Sequence, residues 1–136
     1  MVGNSMKPSE RLVFVLLNAT DLEQSIKFYR DIVGIPLEPS HNEPNDDPWM
    51  GGHHAEFSWR QGPYLHFSIF PARPPQRPPT TGVEVGFLVE DCDGFHERAV
   101  QAGAKVMHAP RDEPWGRTAR YQDPDGNIVG ITAHAH

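Results

Sequence analysis

Apolar residues along this chain change their period in the same order twice. RLVFVLLNA (11–19) is an apolar, β-branched-leaning run, too short for a lone helix and suited to a buried strand. Thr20 or Asp21 then offers an N-cap; Leu22, Ser25, Ile26, Tyr29, Ile32 and Val33 recur at helical spacing, and Gly34 stops the helix. IPLEPS reads as short and extended, and residues 38–52 as a long polar loop with four acids and no Lys or Arg. HAEFSWRQ and YLHFSIFPA read as two further strands joined by a turn at Gly62-Pro63.

PARPPQRPPTTG (71–82) breaks the pattern, with five prolines in twelve residues. Proline cannot donate to a sheet ladder or continue a helix, so this segment is expected to be a semi-rigid extended connector. After it the pattern restarts. VEVGFLVE (83–90) is a strand, Asp91 caps a helix whose face is Cys92, Phe95, Ala99 and Ala102, and Gly103 stops it. AKVMHAP, GRTARYQ and NIVGITAH follow as strands.

The restart is an internal repeat. A shift of 70 superimposes Asp21 on Asp91 and the helix face 22, 25, 29, 32 on 92, 95, 99, 102, with Gly34 on Gly103 after a one-residue deletion. In the later strands a shift of 64 puts Phe57 on Tyr121 and Gly62 on Gly126. Each half reads as βαβββ: residues 11–70, the connector 71–82, and residues 83–133, together one α+β domain of 136 residues.

Composition narrows the function. A net charge of −6 and pI near 5.7 argue against a nucleic-acid binder, which would show a basic face. No apolar run approaches the ~18 residues of a membrane span, and MVGNSMKPSE lacks a secretory apolar core. The single cysteine, Cys92, forbids an internal disulfide and suits the cytosol. Eight histidines are scattered, with His53 and His54 adjacent and His134 and His136 on the tail; none forms a metal-binding helical pair or finger spacing.

The front motif NATDLEQSIKFYRDIVGIPL, the middle stretch VEVGFLVEDCDGFHERAVQAGAKV and the back motif DPDGNIVGI resemble the vicinal oxygen chelate superfamily, which includes glyoxalase I, bleomycin-resistance proteins and extradiol dioxygenases. The resemblance covers residues 11–133. It implies that the paired modules form a cupped mixed sheet with helices outside and a ligand on the concave face. In the enzymes of that superfamily a divalent metal sits at the floor of the cup, held from the first and last strand of each module. Those positions fall here at Phe14, His66, Glu84 and Gly130. Phe14 and Gly130 offer no donor atom, and two ligands do not hold a divalent ion tightly against water.

The chain is therefore closest in pattern to the non-metal bleomycin-resistance-like members: a cytoplasmic homodimer that sequesters an aromatic or drug-like small molecule, with no metal, no cofactor and no chemistry. The rival is a metal-dependent glyoxalase-like lyase or isomerase, or a dioxygenase, using His66, Glu84 and a third ligand. A sensor or accessory module is the third option. Within the cup, His66 and Glu84 could pair to orient a polar ligand or act as acid and base, or simply bond across the modules; a register slip of one residue would turn both outward. Trp115 could stack on a guest, with Arg111, Arg117 and Arg120 as anion forks, or these could form a dimer contact and surface ion pairs. Trp59 could line the cup or the interface. The acidic loop beside Trp49 would suit a cationic guest or be merely solvated.

Overall fold

The computed structural model describes residues 7–134. Part of the N-terminal stretch read above, and His136, lie outside the described residues. Strand β1 (Phe14–Ala19), helix α1 (Leu22–Lys27) and strands β2 (Glu38–Asn42), β3 (Gly52–Trp59) and β4 (Leu65–Pro71) make the first module. Strand β5 (Glu84–Leu88), helix α2 (Cys92–Gln101) and strands β6 (Lys105–Glu113), β7 (Gly116–Gln122) and β8 (Ile128–His134) make the second. The fold is α+β, two βαβββ modules. Each builds its own four-stranded mixed sheet, in the orders β1-β4-β3-β2 and β5-β8-β7-β6.

Both helices start the same way. The carboxylates of Asp21 and Asp91 accept from the backbone N–H of Gln24 and Gly94, at 3.1 and 3.0 Å. After Lys27 the first helix widens into one π-helical stretch, Phe28–Val33, which buries Phe28 and Tyr29 and ends at Gly34 with φ 94°. Odd-numbered residues of the inner strands (Leu17, Phe67, Ile69, Ala119, Val129, Ile131) turn toward the helices and share one core with Tyr29, Cys92, Phe95 and Ala99. Phe67 and Phe87 meet edge-on at 5.9 Å and carry that core from one module into the other.

The turn after β7 locks the modules together. Asp123 is buried; its Oδ1 accepts from the backbone N–H of Asp125 and Asn127, and its Oδ2 from the Asn127 amide and from the Tyr29 hydroxyl at 2.7 Å. Burial, then the carboxylate beside it, holds the Tyr29 phenol far above its ordinary pKa. Asn127 extends the joint, donating to the Thr80 carbonyl and accepting from the Val83 N–H.

Four expectations change. Residues 38–42 form β2 rather than loop: it is an edge strand paired only to β3, so it tolerates Pro39 and needs no apolar alternation. The connector is not extended throughout, because Arg73 and Arg77 exchange backbone hydrogen bonds across a tight turn at Pro74 and Pro75; proline presets φ for a turn corner as readily as for extended chain. The first strand begins at Phe14, and Leu12 and Val13 are exposed. The repeat also slips in the last strands. Phe57 pairs with Phe67 but Tyr121 pairs with Val129, so the second hairpin is two residues shorter and Gly130 matches Ser68, not His66. Among the described residues no helix is long and apolar enough to cross a membrane.

Candidate functional site

The face of each sheet turned away from its helix is built from even-numbered residues, and register arranges them in rungs. In the first module, Phe14 on β1 lies beside His66 on β4, which lies beside Ser58 on β3. One rung along stand Leu16, Ser68 and Glu56. All of these but Ser58 line a hollow of about 310 Å³, with Met50 and Tyr64 at its sides and His54 and Phe70 beyond. The lining is mostly apolar, and the polar groups are linked.

Glu56 Oε1 lies 2.8 Å from Nε2 of His54 and 3.9 Å from Nε2 of His66. His54 is 3% exposed, stacks on Phe70 at 4.2 Å with 4° between the planes, and points Nδ1 at the Gly52 carbonyl 3.2 Å away. Both of its nitrogens thus face oxygens, the Gly52 carbonyl on one side and the Glu56 carboxyl on the other. His66 is held from the other side, with Nδ1 and the Ser58 hydroxyl 2.7 Å apart. The loop over the hollow is tied down by Asn42, whose amide donates to the Met50 carbonyl. Arg77 from the connector lies 4.3 Å over the Phe70 ring, and burial, then the nearby Arg73, lowers its pKa without discharging it.

The second module arranges the matching face differently. Glu84 Oε2 accepts from Arg120 Nε at 2.7 Å, and Arg120 Nη1 reaches His108 Nε2 at 3.0 Å. Arg120 stands directly opposite Gly130 on β8, which separates β7 from β5, so its guanidinium reaches over Gly130 to Glu84. A Cβ built on Gly130 would meet nothing nearer than 3.8 Å, that atom being Glu84 Oε2. The glycine leaves room for a crossing arginine.

Of the residues singled out from sequence, the structure brings Phe14 and His66 together and places the others elsewhere. Neither His66 nor Glu84 bonds the other; their partners are Ser58 and Arg120. Trp59 faces the helix side, edge-on to Phe57 and against Phe87. Trp115 is 54% exposed on the second module and donates to Thr118 Oγ1. Arg117 is clamped by Asp93 and Asp112, which raise its pKa further, and Arg111 by Glu113. Trp49 is exposed, while its neighbour Met50 lines the hollow. His54 and Glu56 were missed, although HAEFS alternates them with Ser58 on one face; the missing information was which neighbour β3 pairs with.

Three of the four positions at which the superfamily's enzymes bind metal do not fit an ion here, and His66 alone cannot hold one. Phe14 and Gly130 carry no donor, and Glu84 is already engaged by a guanidinium that would repel a cation. Among the described residues no three His, Cys, Asp or Glu side chains converge as a metal-holding group.

Comparison with known proteins agrees with this architecture. The profile of the Glyoxalase/Bleomycin resistance protein/Dioxygenase superfamily matches residues 11–131. The uncharacterized protein YraH of Bacillus subtilis (strain 168) is 24% identical over 123 residues, 89% of this chain and 96% of that protein. TnmS3, an antibiotic binding protein from Streptomyces sp. CB03234, superimposes with a TM-score of 0.70 at 22% identity, covering 96% of this chain and all of that one. TioX from Micromonospora sp. ML1 does so with a TM-score of 0.62 at 21% identity, over 92% of this chain and 99% of that one.

Proposed function

Since the chain belongs to the glyoxalase/bleomycin resistance protein/dioxygenase superfamily, we propose that it is a small-molecule-binding member, one that sequesters a planar aromatic or drug-like ligand in the first module's hollow without a metal ion. The observation that carries the reading is the contrast between the positions a metal would need and the space beside them. Two of the metal positions, Phe14 and Gly130, lack donors and a third, Glu84, is occupied by an arginine, whereas Phe14, Leu16, Met50 and Phe70 enclose an apolar volume of about 310 Å³. That is the lower end of the size that buries a drug-sized molecule. The fold shared with an antibiotic binding protein supports the same class of ligand.

The ligand is held by area and by stacking on Phe14, which is 60% exposed. Leu88 (62%) and Trp115 also stand exposed on the second module, and we propose that a second copy of the chain covers these surfaces, giving a homodimer. The free, buried Cys92 fits a reducing compartment, and we assign the protein to the cytosol.

Calorimetric titration with naphthalene- and acridine-sized planar compounds tests the binding. Saturable binding near micromolar, roughly −8 kcal/mol, is expected, unchanged by a chelator and weakened several-fold by Phe14→Ala. Absence of saturation with every compound overturns the reading. Light scattering tests the dimer: a mass near that of a single 15.3 kDa chain rejects it.

A further inference from the structure

We infer that Glu56 is the specificity-determining residue of the hollow, selecting planar guests that carry an O–H or N–H donor on their edge. This rests on the binding reading above and adds the chemistry of the guest. Glu56 has two oxygens with different fates. Oε1 is taken by His54, while Oε2 has no hydrogen-bond partner among the described residues; the side chain is 38% exposed and is one of those that line the hollow. The carboxyl is also held still. His54 is buried, stacked flat on Phe70 and bonded to the Gly52 carbonyl, so its grip on Oε1 fixes where Oε2 points.

The bond to His54 accounts for one oxygen of the carboxyl, and nothing among the described residues bonds the other. Glu38 stands directly opposite Glu56 on the neighbouring strand, an unfavourable like-charge placement. Among the described residues the ion-pair contacts of Glu56 are with the two histidines, and His66 Nε2 at 3.9 Å is too far to bond it. His54 already occupies Oε1, so what the carboxyl offers a guest is the acceptor Oε2. A flat guest seated between Phe14 and Met50 strips water from Oε2. If its edge carries a donor, the acceptor is satisfied again. If that edge is capped, a desolvated carboxyl oxygen is left without a partner, and that loss is what makes a hydrogen-bonding site discriminate.

Two probes that differ only in this respect are 2-naphthol and 2-methoxynaphthalene, compared by isothermal titration calorimetry at neutral pH. The parent protein is expected to prefer 2-naphthol by about tenfold or more. Glu56→Met should bring the ratio close to one by weakening only the naphthol. Glu56→Gln should keep part of the preference, because its amide can still meet His54 Nε2 while its carbonyl faces the guest. Equal binding of both probes by the parent overturns the selectivity and leaves the binding function standing, as does a preference that survives Glu56→Met. Failure of the parent to bind either probe overturns both.

Discussion

The two modules put opposite residues on the same rung. In the first, Leu16, Ser68 and Glu56 lie side by side; in the second, Gly86, Gly130 and Arg120 do. The second module answers its own charge: Arg120 crosses a strand that has no side chain in the way and meets Glu84. The first module places bulk where the second has glycine and leaves one carboxyl oxygen without a partner among the described residues. A duplicated fold can thus divide the work, with one sheet face satisfied internally and the other left open for a guest. The division costs little, because a change of two or three side chains on the free face does not disturb the core on the helix side.

The turns that join the last two strands of each module differ more strongly, and the largest effect is expected there. In the second module that turn carries Asp123, buried with four donors converging on it; in the first the matching turn is Gln61-Gly62-Pro63, exposed. Asp123→Ala strands the Tyr29 hydroxyl, the Asn127 amide and two backbone N–H groups, and should cost about 4 kcal/mol in urea denaturation. Gln61→Ala should stay within about 0.5 kcal/mol. Comparable losses from the two would mean that the joint between modules does not depend on the carboxylate.

Much of this architecture was legible in the sequence, for reasons the structure makes plain. Caps, helix faces and glycine stops are local signals, so both βα units could be read from Asp21, Gly34, Asp91 and Gly103. Pairing register is not local. The two-residue difference between the hairpins shifted Gly130 by one rung, and with it the partner assigned to Glu84. Arg120 appeared as one of three loop-flanking arginines, and nothing in its neighbours along the chain says that it reaches over a glycine two strands from its target. His54 and Glu56 sat in a stretch correctly read as a strand, but their role depends on Phe70 and His66, which only the sheet brings alongside.

Alkaline titration sharpens the comparison between the modules' buried phenols. Tyr29 bonds a carboxylate and Tyr121 lies 2.8 Å from His96 Nδ1; burial, and then the nearby Cys92, pushes Tyr121 up to about 12, and Tyr29 lies higher still. In the unfolded chain both titrate near 10. Between those values the folded state holds more protons than the unfolded one, so stability must fall as pH rises through this window. The loss should reach about 1.4 kcal/mol per tyrosine at pH 11, one pH unit above the unfolded value. Tyr121→Phe should remove about half of that slope, and an unchanged slope would show that Tyr121 is not shifted.

A smaller effect tests the crossing arginine. Gly130→Ala adds a methyl with no neighbour inside 3.8 Å and should be close to neutral. Gly130→Leu puts a branched side chain under the guanidinium, displaces Arg120 from Glu84 and should cost about 1 kcal/mol. Because the guest sits on the other module, neither variant should change the affinity for 2-naphthol. A Gly130→Leu protein that loses the ligand would place the site across both modules.

The smallest expected effect concerns the Arg120–Glu84 pair itself. Glu84 is half exposed and Arg120 largely covered, so water screens one partner and the pair is worth little: about 0.5 kcal/mol of coupling in a double-mutant cycle of Arg120→Met and Glu84→Gln, decreasing with added salt. Its purpose is to occupy Glu84 rather than to hold the sheet. The informative outcome is therefore on ligands. Arg120→Met frees a second carboxylate on the second module's open face. If the pairing is what silences that module, the variant should acquire a weak second site that prefers 2-naphthol over its methyl ether, visible as a second phase in the titration and abolished by adding Glu84→Gln. A single unchanged phase would mean that the second module lacks the apolar walls to hold a guest, and that the hollow beside Phe14, more than the free carboxyl, separates the two halves of the molecule.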